Sequence, residues 1–362
     1  MGQINNILYK DFRNFKTCEL SFNPRCNILY GLNGSGKTNI LEGISLLGKG
    51  RGFRNASLPS LIYKNSENFI INSEYEENST LYNLKIFSKL MDLKYKKITS
   101  VNDEISKDSE NHLNSSISFL FFLPEMERLF LASPSYRRNF IDKLIFSENK
   151  NYNKLINKYK KNILEKSKVL QLENYDRDWL DIIENDISAL AIEIYQLRNK
   201  KVHDINDQIA IINKDNQYPF NINMHISDKI KNDNLDIKSY TKLLYINRDF
   251  DTKFGGSKIG PHKSEIVAFA NEKINASQLS TGQQKTLVLM ILIAQCNYLI
   301  SIKKISPILL FDEICSHLDI TNRDLLLKLT DQFDIQLFLT GTEKSMFSFM
   351  STNTNFYNIT KL

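Results

Sequence analysis

Residues 31–38 read GLNGSGKT, and few octapeptides restrict a fold as strongly. The pattern GxxxxGK[ST] works only between a strand and a helix, because it turns successive backbone N–H groups inward around a phosphate chain. Both flanks are present. CNILY at 26–30 is a continuous apolar strand, and KTNILEGISLLG at 37–48 has helical spacing closed by Gly48. Gly31, Gly34 and Gly36 allow the inward turn, with Leu32, Asn33 and Ser35 completing the cradle. Lys37 is expected to reach the β- and γ-phosphates of ATP, and the Thr38 hydroxyl to ligate Mg²⁺. The helix N-terminus adds its partial positive charge to the same spot.

A second segment supplies the opposite charge. PILLFDE, residues 307–313, is an apolar strand tipped by two acids. A strand this apolar is buried, so acids at its end belong to a site or to a rim. Asp312 is expected to hold Mg²⁺ through water, and Glu313 to orient or deprotonate the attacking water. In the SHLD that follows, Asp319 and His317 either cap the next helix or approach a second subunit.

The remainder of the chain frames these two segments. At 362 residues it is long enough for two domains, or for one large domain with an insertion. Its net charge of +6 permits a polyanionic partner without demanding one. Cys18, Cys26, Cys296 and Cys315 form no CxxC pair and read as reduced core thiols. The start does not resemble a signal peptide, Asn6 breaks the myristoylation pattern, and the longest apolar run, 287–294, is too short for a bilayer. A cytoplasmic, soluble protein without membrane contact is expected.

Strand-like segments dominate to about residue 130. At Ser133 a cap followed by Pro134 opens a helical stretch lasting to about 212. Within it, Leu155, Tyr159 and Ile163 form one stripe, and Leu180, Ile183, Ile187, Leu190, Ile194 and Leu197 form a heptad seam. Two helices joined by a short link predict an antiparallel hairpin projecting roughly 30–40 Å. Lys154, Lys158, Lys160, Lys161, Lys166 and Lys168 make its first helix basic, a solvated face or a phosphate contact. Strands then return. The pattern is one α/β fold split by a helical insertion: residues 1–132 and 213–362 form the head, and 133–212 a helical arm subdomain. Arg51 and Arg54, just after the phosphate-loop helix, face solvent or nucleic acid, and His262 in GPHK reads as a turn histidine satisfied by backbone.

With these segments in place, LSTGQQK at 279–285 resembles the signature motif of ABC-type ATPases. That resemblance implies an ABC-type P-loop head of mixed β-sheets with helices. It also implies a head-to-tail dimer in which Ser280, Gly282 and Gln283 of one head complete the ATP site of the other. Leu279 lies 241 residues beyond Thr38, too far for a transport or translation cassette and too near for the long coiled coils of SMC-type proteins. The chain resembles the RecF family along essentially its whole length: in LYKDFRNF at 8–15, FFLPEMERLFLASPSYRRNFID at 121–142, KIGPHKSEI at 258–266, STGQQK at 280–285 and FLTGT at 338–342.

The RecF resemblance implies a DNA-binding protein of replication and recombinational repair, acting in gap repair and SOS induction. It implies an ATP-dependent homodimer on double-stranded and gapped DNA without sequence preference, weak DNA-stimulated ATP hydrolysis, and RecR and RecO as partners. In that frame Glu125 takes about the Q-loop position, and Thr340 or Thr342 stands where transporters carry a switch histidine. The rivals are a transport or translation cassette, an ATPase-coupled nuclease of the overcoming-lysogenisation type, and a scaffold that binds ATP without cleaving it. Only about 40 residues follow FDEICSHLD, short for a nuclease domain, and intact Lys37, Asp312 and Glu313 argue against a scaffold.

Overall fold

The structure, a computed structural model, describes residues 2–214, 220–228, 230, 235–314, 319–350 and 353–361. In chain order the elements are β1 (Gly2–Phe12), β2 (Phe15–Ser21), β3 (Cys26–Tyr30), α1 (Lys37–Ser45), β4 (Ile70–Glu77), β5 (Thr80–Met91), β6 (Lys94–Val101), α2 (Lys107–Ser116) and β7 (Phe119–Phe122). Then follow α3 (Pro134–Glu148), α4 (Tyr152–Val169), α5 (Arg177–Ile212), β8 (Ile222–Ser227), α6 (Ile237–Ile246), α7 (Arg248–Phe254), β9 (Glu265–Ala270) and β10 (Ile274–Asn275). The chain closes with α8 (Thr281–Tyr298), β11 (Ile308–Phe311), α9 (Ile320–Gln332), β12 (Leu337–Gly341) and β13 (Thr354–Asn358). Two units result: residues 1–127 with 281–362, and residues 128–280. The helices of 133–212 thus share a unit with α6, α7 and the strands β8 to β10.

In the first unit, β13-β3-β12-β11-β7 form a parallel sheet. Its inner strands are short and largely apolar; all four residues of β11 and all five of β12 are buried, as strands covered on both faces require. Parallel pairing brings the C-terminal ends of β3, β12 and β11 side by side, with Tyr30 opposite Gly341 and Phe311 opposite Leu339. Ligands of open α/β sheets bind beyond such ends. α8 is buried on almost every side, so it is a core helix. The stretch Thr281–Lys303 is long and apolar enough to cross a membrane by composition, but 78% of its apolar window is buried in the fold.

The second sheet of this unit is antiparallel, in the order β2-β1-β4-β5-β6. Its inner face packs on α1, where the buried Tyr9 hydroxyl donates to the Ile40 carbonyl at 2.8 Å. The fully buried Gln336 bonds both the N–H and the carbonyl of Ile4 at 2.8 Å, tying β1 to the start of β12. Cys18, Cys26 and Cys296 are buried free thiols, and burial pushes Cys18 up to about 11 and Cys26 to about 12. Cys315 lies outside the described residues.

In the second unit α5 is the centre, packed against α3, α4, α6 and β8. Its 36 residues span about 54 Å, longer than the projection expected. Ser133 caps α3 as expected, its hydroxyl accepting from the Tyr136 N–H. The heptad seam is buried from Leu180 to Ile194, with Leu197 half-buried. The α4 stripe differs from expectation. Tyr152, Ile156, Tyr159, Lys166 and Leu170 line its inner side, while Leu155 and Ile163 are only half-buried. Steps of four drift around a helix of 3.6 residues per turn, and only alternating steps of three and four stay on one face. Lys166 therefore leaves the surface run: its ammonium lies 2.9 Å from Asp251 and 3.2 Å from Glu184, all nearly solvent-free. Arg248 bonds Glu184 from the other side, and Arg198 grips both oxygens of Asp142 at 2.8 Å. Charges this buried persist only in pairs.

Candidate nucleotide site

The phosphate loop leaves β3 and enters α1 in the left-handed geometry its glycines allow, with φ of 151° at Gly31, 82° at Gly34 and 106° at Gly36. A side chain at Gly36 would also strike Phe15 and Asn14 at 2.4 and 2.7 Å. Lys37 is folded onto its own loop, its ammonium donating to the carbonyls of Gly31 at 2.7 Å and Leu32 at 2.9 Å. Burial lowers its pKa, against the pull of Glu313 and Asp312.

Asp312 and Glu313 leave the end of β11 beside this loop. Asp312 Oδ1 accepts from the Thr38 hydroxyl at 3.1 Å and from the Thr340 hydroxyl at 2.7 Å. Burial raises the Asp312 pKa, opposed by both hydroxyls and by the charges of Arg54 and Lys37. The Thr340 oxygen in turn accepts the N–H of Glu313 at 2.7 Å. Glu313 has φ of 52°, a left-handed conformation that costs a residue with a side chain about 1–3 kcal/mol and clusters at functional positions. Thr38, Asp312 and Glu313 line a pocket of about 180 Å³ with Phe53, Arg54, Leu123, Pro124 and Glu125.

The sequence-predicted residues are thus partly brought together. Glu125 lines the pocket from the turn Pro124–Arg128. Thr340 is fully buried at the acid pair, whereas the exposed Thr342 donates to Met346 Sδ at 3.3 Å. Ser280, Gly282 and Gln283 are solvent-exposed around the start of α8. Asp319 caps α9, accepting from the Asn322 N–H at 2.8 Å, and its carboxylate lies 3.8 Å from where a Gly282 side chain would begin. His317 lies outside the described residues. His262 is satisfied by the Tyr159 hydroxyl at 2.7 Å and the Ser257 carbonyl at 2.9 Å, and burial lowers its pKa.

Two participants escaped the sequence reading. Arg54 was placed between solvent and nucleic acid, yet it lines the pocket and lies 3.7 Å from the buried Glu42. Thr360, from the turn after β13, accepts the Leu32 N–H at 2.9 Å. Only sheet pairing reveals it, because nothing in its local sequence points to a loop 328 residues away.

Local chemistry fits a bound triphosphate. The Ser35 hydroxyl is shielded from solvent without a hydrogen-bond partner. Gly36 supplies α1 with no side-chain cap, and no protein atom lies within 4 Å of a Cβ built at Gly34. A helix start left in this way takes an anion. The hydroxyl and carboxylate at Thr38 and Asp312 are hard oxygen donors suited to Mg²⁺, which keeps several waters and phosphate oxygens as its other ligands. No cluster of three or more His, Cys, Asp or Glu that could hold a metal occurs among the described residues, in keeping with such a sparse donor set.

Known proteins share this architecture. Residues 3–121 match the RecF/RecN/SMC N terminal domain. The DNA replication and repair protein RecF of Rickettsia massiliae (strain Mtu5) is 33% identical over 344 residues, covering 94% of each chain. That of Rickettsia bellii (strain OSU 85-389) is 31% identical over 345 residues, also covering 94% of each. A structure of the recombination mediator protein RecF described as RecF-ATPrS superposes with a TM-score of 0.83 at 24% identity, over 95% of this chain and 94% of that one. An SMC head bound to the C-winged helix domain of ScpA reaches 0.55 at 15% identity, over 97% and 95%. The fold is that of the RecF and SMC ATPase heads, and the chain belongs to the RecF family of DNA replication and repair proteins.

Proposed function

We propose that this protein is an ATP-driven DNA clamp of recombinational repair, cytoplasmic, whose nucleotide site uses the residues gathered at the ends of β3, β11 and β12. The observation that carries the reading is the chain of hydrogen bonds from Thr38 through Asp312 and Thr340 to the Glu313 N–H. It ties the phosphate loop, the acid pair and the β12 tip into one unit.

Lys37 swings from its loop carbonyls onto the β- and γ-phosphates, while the amides of 33–38 and the Ser35 hydroxyl hold the triphosphate oxygens. Thr38 and Asp312 would hold Mg²⁺, whose charge offsets that of the phosphates. Glu313, aimed by its left-handed backbone and by Thr340, orients or deprotonates the attacking water. Thr340 couples Asp312 to the backbone of Glu313, and Glu125 lines the same pocket, where its carboxylate would be within reach of the attacking water. Ser280, Gly282 and Gln283 complete the site of a second copy, with the α8 N-terminus directed at its γ-phosphate. ATP thereby closes a homodimer over double-stranded or gapped DNA, and slow, DNA-stimulated hydrolysis reopens it. Relatives named RecF and a RecF structure described in the RecFOR pathway support this role and RecR and RecO as partners.

The Glu313→Gln substitution tests the assignment. The variant should bind ATP, turn it over at least ~10²-fold more slowly, and accumulate as dimer in size-exclusion chromatography with light scattering. Unchanged turnover would remove Glu313 from its role. Lys37→Met should instead lose nucleotide binding altogether.

A further inference from the structure

The antiparallel sheet presents a second face, away from α1, that the nucleotide site does not use. Alternation on β5, carried across to β6 by the ladder, assigns it. Leu84, Ile86 and Ser88 are buried on the inner side, so Lys85, Phe87 and Lys89 point outward. The ladder sets Lys89 directly opposite Lys96, Met91 opposite Lys94 and Phe87 opposite Ile98. The same outward row continues through Ile70 on β4 to Lys10 on β1. Lys10, Lys85, Lys89, Lys94 and Lys96 are exposed, and none forms an ion pair among the described residues. Residues 85–98 hold five lysines against the single acid Asp92.

A like-charge pair directly across a ladder destabilises a sheet, so Lys89 and Lys96 call for a reason. Protection of a sheet edge by lysine would account for Lys94 and Lys96, because β6 is the edge strand. It does not account for Lys85 and Lys89, which lie on the interior strand β5. The exposed α4 lysines offer a weaker alternative, since Lys158 is already 3.7 Å from Asp186.

We propose that the outward face of β5 and β6 docks the phosphate backbone of duplex DNA, and that Lys97, on the opposite face of the same strand, transmits docking to the phosphate loop. Lysines spaced across two paired strands match a row of phosphates, and the half-buried Phe87 and Ile98 between them suit the sugar edge. One residue beyond Lys96, the Lys97 ammonium turns inward. It donates to the carbonyls of Leu46 at 2.8 Å, Gly48 at 3.0 Å and Gly50 at 3.1 Å. These carbonyls end α1, whose other end is the phosphate loop, and begin the loop that carries Arg54 into the pocket. A shift of β6 on DNA is therefore felt at both walls of the nucleotide site. The inference rests on the DNA-clamp reading and names the surface it would use.

The test is duplex binding by the full chain with ATP, measured by fluorescence anisotropy from 50 to 200 mM salt. Lys89→Glu/Lys96→Glu should weaken binding at least ~10-fold at 50 mM and flatten the slope of log K against log salt by about two. Lys89→Arg/Lys96→Arg should restore it. Wild-type affinity in the Glu variant would overturn the surface while leaving the DNA reading intact. Failure of the wild type itself to bind at low salt would overturn both. An equal loss from Lys154→Glu/Lys161→Glu would reduce the effect to overall charge and overturn the surface. Sedimentation of the wild type with phosphatidylserine vesicles through the same lysines, without duplex binding, would replace DNA by a membrane. Lys97→Met should keep duplex and nucleotide affinity but lose the DNA-induced change in ATP turnover. Retention of that change, or its absence in the wild type, would remove the link.

Discussion

At the scale of single residues, the site depends on one hydroxyl. Thr340 donates a hydrogen bond to Asp312 and accepts one from the N–H of Glu313, so a single hydroxyl links the two acids. Thr340→Val keeps the shape but strips both bonds at a fully buried position. It should cost about 1–3 kcal/mol of stability in urea unfolding and lower ATP turnover more than it raises KM. Acidity is the second test. The folded-state pKa of Asp312 is raised by burial, so its protonated form returns at a higher pH than for an exposed aspartate. As pH falls, Mg²⁺-dependent ATP binding should fade earlier than a normal carboxylate would dictate, while Asp312 contributes to folding in the opposite sense, its burial being less costly once neutral. Isothermal titration across pH 4–7 reads the first effect, and Asp312→Asn should abolish it. That Lys37, Thr38, Asp312 and Glu313 lie close together was legible in the sequence because phosphate chemistry restricts residue type and local spacing. The positions of Arg54 and Thr360 beside them were not, since each arrives there through tertiary packing alone.

At the scale of elements, strands and helices announced themselves wherever burial repeats with one period. PILLF and FLTG read as buried strands, and the seam from Leu180 to Ile194 reads as one helix face. What periodicity could not supply was the identity of charged residues inside. Lys166 sat in a run of lysines that reads as one outward face, solvated or in contact with phosphate, yet this one faces Glu184 and Asp251. The partners come from α5 and α7, and nothing in α4 encodes them. Lys166→Met should strand a buried carboxylate and cost about 3–5 kcal/mol in urea unfolding. Replacing the exposed Lys160 should leave the midpoint where it is.

At the scale of the whole molecule, the proposed clamp makes a sharper demand, because it requires the signature motif of one copy to serve the nucleotide of another. Light scattering should show monomer without ATP and dimer with it. Ser280→Arg should keep ATP binding and block the dimer. Mixed with Lys37→Met, it should recover part of the turnover that neither variant has alone, because the mixed dimer holds one intact composite site. A mixture as inactive as its two components would mean the sites are not shared.

The sheet order β13-β3-β12-β11-β7 has a consequence for how the protein is made. β3, which launches the phosphate loop, is flanked by β12 and β13, and the Leu32 amide waits for Thr360, 328 residues downstream. At about 5–20 residues per second on a ribosome, the nucleotide loop spends roughly 15–60 s synthesised but unpaired on both sides. An apolar strand with open edges is a template for aggregation during that time. ATP cannot assist early folding, because the cradle that binds it is among the final parts to close.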